Sequence, residues 1–163
     1  MKTFRLVSLS LLLEGEKDVV SYRVPLQEGL IINREERDKS WLIEAVLPQS
    51  EEETFRPKME AKMQMVLEVV ITDTHNDPAL MTGRVRSIVA LESRISVLFD
   101  AVMAAGKDDV SNLILEGLIE EGYSGHDMLS EFYERKQDQG KWSKQAAGRI
   151  YEQLGSTGNH SEK

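Results

Sequence analysis

Up to about residue 104 the apolar residues of this chain recur at every second position, and beyond it at every third or fourth. Met63, Met65, Leu67, Val69 and Ile71 illustrate the first spacing, and Val110, Leu113, Ile114 and Leu118 the second. A period of two marks half-buried strands, and a period near 3.6 marks amphipathic helices. The change falls at Ala104-Ala105-Gly106-Lys107. It predicts a β module over 1–105, a helical appendage over 106–155, and a polar, disordered tail over 156–163.

Within the β module the first strand runs from Thr3 to Leu13. Phe4 and Leu6 lie on one face and Val7, Leu9, Leu11 and Leu13 on the other, a phase change that a bulge or a barrel corner would produce. A second strand carries Val20, Tyr22 and Val24 on one side. Leu30-Ile31-Ile32 and Trp41 to Leu47 give two more, joined by the polar loop from Asn33 to Ser40. The charged stretch Pro48 to Lys58 reads as a mobile loop or a single helical turn that buries little. Strand five is Lys62 to Thr72, with Met63 and Ile71 at the ends of its inward face. Leu80–Leu91 and Arg94–Met103 form a hairpin across Glu92-Ser93, with Val85, Val89 and Leu91 on one face. Six or seven antiparallel strands with one apolar face each need closure, so the fold class is an antiparallel six- or seven-stranded β-barrel followed by a helical pair or three short helices.

In the appendage a first helix starts at Asp108 or Asp109 and ends at Glu121, with Gly122 as its left-handed terminator. Ser124 caps a second, whose apolar residues are Met128, Leu129, Phe132 and Tyr133, and Gly140 ends it. A third segment spaces Trp142, Ala146, Ile150 and Leu154 at four-residue steps. This is more aromatic and aliphatic area than one barrel flank can shield. Met128, Leu129, Phe132, Tyr133, Trp142 and Ile150 are therefore the candidate partner-binding residues, for a distinct protein or for a second copy in a homo-oligomer.

The net charge of −8 is concentrated in the same region: residues 108–138 hold nine acids against two bases. A field of that sign repels phosphate backbones and anionic bilayers, which argues against nucleic acid and membrane partners. The chain has no cysteine. Disulfides, thiolate metal sites and thiol nucleophiles are thereby removed, and a reducing, cytoplasmic setting fits. Lys2 and Arg5 ahead of Leu6 to Leu13 resemble a secretory leader, but alternating serines and the following Glu14-Gly15-Glu16-Lys17-Asp18 favour a strand.

Few residues suggest chemistry. Asp73, His75 and Asp77 alternate like the opening of a calcium loop, yet the glycine and the closing glutamate of such a loop are missing, and Asx residues favour turns for their own backbone bonds. His126 and His160 have no recognisable nucleophile or base beside them. Gly117 and Gly122 have phosphate-loop spacing but are followed by Tyr123-Ser124 in a helical context. Arg84, Arg86 and Arg94, with Arg23, would make at most a small basic ridge on strands. These motifs thus point to no catalytic residue, no metal ligand and no cofactor. A rival reading, a ligand-binding protein or enzyme, would need Tyr22, Arg23, His75, Arg84 or Arg86 to converge in a barrel cavity.

The opening Met1-Lys2-Thr3-Phe4-Arg5-Leu6-Val7-Ser8-Leu9, Gly29-Leu30-Ile31-Ile32-Asn33, Trp41-Leu42-Ile43-Glu44-Ala45 and Arg94-Ile95-Ser96-Val97-Leu98 resemble the YwpF-like family of bacterial proteins. The resemblance covers the first two-thirds of the chain. It implies a β-barrel with an attached helical pair, similar in barrel shape to the tube proteins of type VI secretion, and it brings no catalytic or ligand residues with it. The expectation is a cytoplasmic, non-enzymatic interaction or assembly module.

Overall fold

The computed structural model describes residues 2–34, 40–74, 76, 78–105, 107–137 and 143–152. Seven strands are present: β1 Lys2–Glu14, β2 Val19–Arg23, β3 Glu28–Asn33, β4 Ser40–Pro48, β5 Met65–Ile71, β6 Ala79–Ala90 and β7 Arg94–Ala105. Helix α1 is Glu52–Glu60, preceded by a 3₁₀ turn at Gln49–Glu51. Helices α2, Lys107–Glu120, and α3, Gly125–Gln137, follow the strands, and residues 143–152 form α4.

Pairing runs β1-β3-β4-β7-β6-β5 and returns to β1, every neighbour antiparallel, so six strands close into a barrel. β2 pairs with β1 alone and stands outside the ring. The expected barrel with three C-terminal helices is what the chain forms.

β1 performs the closure by serving three partners. Residues 2–5 pair with β3 and residues 10–14 with β2 along one edge, while residues 6–12 pair with β5 along the other. A register shift between Leu6 and Ser8 absorbs one residue. That bulge accounts for the phase change in the sequence, because it lets Leu6 and Leu9 both point inward, with Phe4 and Leu13 packed on the same cluster. Closure leaves no open edge on any of the six strands over their paired lengths.

The barrel interior is filled by Leu9, Leu11, Ile31, Ile43, Leu47, Met65, Leu67, Met81, Val97 and Phe99, all without solvent exposure. On the inward face of β6, Gly83 lies so close to β7 that a Cβ there would stand 2.4 Å from the Asp100 carbonyl oxygen.

Three differences from the pattern of the sequence concern which side chains reach this core. The charged stretch after Pro48 is a nine-residue helix, and its Phe55 is fully buried against Phe99, ring centroids 6.0 Å apart and edge to face. One aromatic among charges and Pro57 conceal the helix in the sequence, yet that aromatic plugs the barrel end. At the other mouth Phe4 and Trp41 stand 6.4 Å apart. The second difference lies on β6, where a shift between Val85 and Ser87 reverses the alternation. Val85 stays buried and Ile88 takes the inward place, so Val89 and Leu91 are exposed rather than sharing the face of Val85. Met63 precedes β5 and is exposed, since the strand starts at Met65.

A second core lies outside the barrel. Leu12 of β1, Val66 of β5 and Leu80 of β6 point outward and are buried beneath Ile114 and Leu118 of α2 and Ala146 and Ala147 of α4, with Met128, Phe132, Ile150 and Tyr151 packed around them. Gly122, at φ +88°, ends the turn after α2 in the conformation that only glycine adopts freely. The Tyr151 hydroxyl donates to the Leu12 carbonyl at 2.5 Å and accepts from the Val66 amide at 3.0 Å. Leu12 and Val66 are cross-strand partners in the closing β1–β5 ladder. Helix α4 is therefore fastened to the strand pair that closes the barrel. Burial, the larger cause, and the nearby Glu14 hold the Tyr151 phenol above its ordinary pKa.

Three outcomes follow from these contacts. Phe55→Ala is expected to cost about 3–5 kcal/mol in chemical denaturation, because a fully buried aromatic plug is lost with little chance of collapse around the void. Tyr151→Phe is expected to cost about 1–2 kcal/mol and to speed amide exchange at Val66. Since the Tyr151 pKa is raised in the folded state, its contribution is complete below the unfolded value near 10 and is lost as pH climbs through the folded value; the phenylalanine variant should show less of that alkaline loss. A chain ended at Ala105 is expected to keep its strand circular dichroism while binding a hydrophobic dye through bared Leu12, Val66 and Leu80. An unfolded spectrum would show that the outer core is needed to hold the barrel closed.

Candidate functional site

A barrel can act through its interior or through its surface, and the distribution of polar groups separates the two. The inward positions of the strands are apolar along the core, from Phe55 at one end to Phe4 and Trp41 at the other. The polar residues that a cavity reading would require do not converge. Tyr22 is half-buried and its hydroxyl donates to Glu51 in the 3₁₀ turn, with burial and that carboxylate raising its pKa. Arg23, Arg84 and Arg86 are exposed on the outside of their strands. His75 and Asp77 lie outside the described residues, as does Trp142; Asp73 is exposed after β5.

Among the described residues the outer wall carries an ionic cluster. Asp100 on β7 accepts from Arg34 at 2.7 Å and has Arg86 at 3.5 Å, while Arg84 is its cross-strand partner on β6. All these side chains are more than one-fifth exposed where measured, so each pair contributes at most about 1 kcal/mol. The arrangement ties Arg34, just after β3, to the β6–β7 hairpin. The basic ridge of the sequence reading is thus partly neutralised by Asp100.

The helical appendage divides the remaining candidate residues. On α3, Met128 and Phe132 turn toward the barrel and Ile150 of α4 joins them, so these three are partly buried in the outer core. Leu129 and Tyr133 sit one turn apart and remain 54% and 64% exposed. Ile119 on α2 is 64% exposed as well. Arg135 draws the hairpin together, reaching Glu121 at 2.5 Å and Glu131 at 3.2 Å and lying 5.7 Å from the Tyr123 ring centre. A helix is normally amphipathic along one stripe; α3 carries apolar residues on two adjoining stripes, and the barrel covers only one. Ile119 is an exposed apolar residue of the appendage outside the candidate set. Its signal was present: Ile119 breaks the spacing set by Ile114 and Leu118.

No helix among the described residues is long and apolar enough to cross a membrane. Comparison with known proteins agrees with the strand signatures. The chain is 35% identical over 135 residues to the uncharacterized protein YwpF of Bacillus subtilis (strain 168), covering 83% of this chain and 99% of that one. The crystal structure of a hypothetical protein from Staphylococcus aureus superimposes with a TM-score of 0.58 at 31% identity, covering 84% of this chain and 94% of the other. With residues 2–135 matching the model of the YwpF-like proteins, the barrel together with its α2–α3 hairpin places this chain in that family.

Proposed function

We propose that this protein is a non-enzymatic interaction or assembly module, in which a solidly packed barrel displays a helical hairpin to a protein partner or to another copy of the chain. The observation that carries the reading is the pair Leu129 and Tyr133, left exposed on α3 beside the stripe that packs on the barrel. Exposed apolar side chains ringed by charge are the composition of a partner face. The hairpin region holds most of the chain's net negative charge, which suits a partner with basic residues at its rim and disfavours nucleic acid and anionic membrane. An interior lined by Leu, Ile, Val and Met supports a structural barrel over a ligand-binding one, and the reading invokes no cofactor or metal. A chain without cysteine suits a reducing, cytoplasmic setting.

The test replaces Leu129 and Tyr133 by glutamate. Both are surface positions, so the stability is expected to change by no more than about 0.5 kcal/mol. Pull-down from native cells and light scattering of the purified variant should then show loss of the association made through α3. Unchanged association alongside a sharp fall in stability would reject the surface.

A further inference from the structure

Among the described residues the six barrel strands have no open edge over their paired lengths, but β2 does. It pairs with β1 on one side, and β4, which would lie along its other side, ends at Pro48 in the 3₁₀ turn, whose Glu51 accepts from the Tyr22 hydroxyl and not from the β2 backbone. Which backbone groups face that open side follows from the ladder. Val24 donates its amide to the Leu9 carbonyl at 3.0 Å, and Arg23 is the partner of Ser10. In an antiparallel pair, hydrogen-bonded residues alternate, so Val20, Tyr22 and Val24 aim their N–H and C=O at β1, and Val19, Ser21 and Arg23 aim theirs outward. Ser21 and Arg23 are exposed, and Val20 is 55% exposed although it lies on the inward side of the hairpin.

Edges that avoid pairing carry Lys or Pro at their open positions, or bulge away. Here Val19 and Ser21 hold two of the three open positions, and only Arg23 is charged. We propose that β2 is the site of strand addition by a second copy of this chain, with the two β2 strands antiparallel about a two-fold axis at Ser21.

The choice of a second copy rests on self-complementarity. In that register Ser21 faces Ser21 of the other copy and Val19 faces Arg23, so the three outward-aimed residues of each strand meet one another and complete up to six backbone hydrogen bonds. The same register puts the exposed Val20 opposite Tyr22, a β-branched and aromatic cross-strand pair. It also keeps Arg23 away from its own copy. Five residues a side bury well under the standard interface of about 1,600 Å², so the dimer belongs to the weak, concentration-dependent class. This surface is separate from Leu129 and Tyr133, and glutamate at those two positions should leave it unaltered.

Because residue 21 meets itself on the axis, a charge placed there meets a like charge, and mixing opposite charges relieves it. Wild-type protein is expected to shift from monomer toward dimer in sedimentation between about 10 μM and 1 mM. Ser21→Lys alone and Ser21→Glu alone should each weaken the dimer at least tenfold with the melting temperature retained, and an equimolar mixture should restore it. As the chain has no other thiol, oxidised Ser21→Cys should give a single crosslinked dimer. A wild-type chain that stays monomeric throughout this range overturns the proposal. So does a dimer indifferent to both charges, or a mixture no tighter than its two components.

Discussion

Everything in this molecule depends on the pairing of β1 with β5. Without it the six strands would be an open sheet with two edges and a water-exposed apolar face; with it, one face becomes a closed core. The requirement on β1 is severe, since a single strand of thirteen residues has to pair with β5 on one edge and with β3 and then β2 on the other. The bulge between Leu6 and Ser8 meets it. By absorbing a residue, it bends β1 into the barrel wall and keeps Phe4, Leu6, Leu9, Leu11 and Leu13 on one side, where a regular strand would have sent half of them to solvent.

Closing the barrel creates a second problem, because outward positions are not all polar. Leu12, Val66 and Leu80 fall together on the outer wall of β1, β5 and β6. The appendage answers it by laying three helices over that wall. The inner and outer cores therefore share three strands back to back: Leu11, Leu67 and Met81 face inward where Leu12, Val66 and Leu80 face outward. The family match ends at residue 135, so α4, with Ala146, Ala147 and Tyr151, lies beyond the part of the fold matched to the family.

Much of the architecture was legible because it is written in period. Alternation located β1 to β7 within a few residues, and the switch to helical spacing located α2, α3 and the helix around Ala146. What escaped was information that period does not carry. Phe55 enters the core from a helix whose other residues are charged and whose Pro57 argues against helix, so one side chain decides its role. The bulge in β6 is silent in sequence, since both Val85 and Val89 are good strand residues and only the pairing with β7 reveals the slip. On α3 the four apolar residues span two stripes, and only the position of the barrel determines that Met128 and Phe132 are covered while Leu129 and Tyr133 are not.

The Tyr151 hydroxyl, held between the Leu12 carbonyl and the Val66 amide, gives the seam an order of assembly. The strands it joins are available once residue 71 has been made, yet the group that bridges them is 139 residues from Leu12. During synthesis the barrel can close while α4 is still in the ribosome tunnel, leaving that rung to water. Its final form is set only once α4 has emerged, by a contact between Leu12 and a side chain made 139 residues later. The seam is thus a clasp fastened last, and long-range closure of this kind is the slow class of folding event.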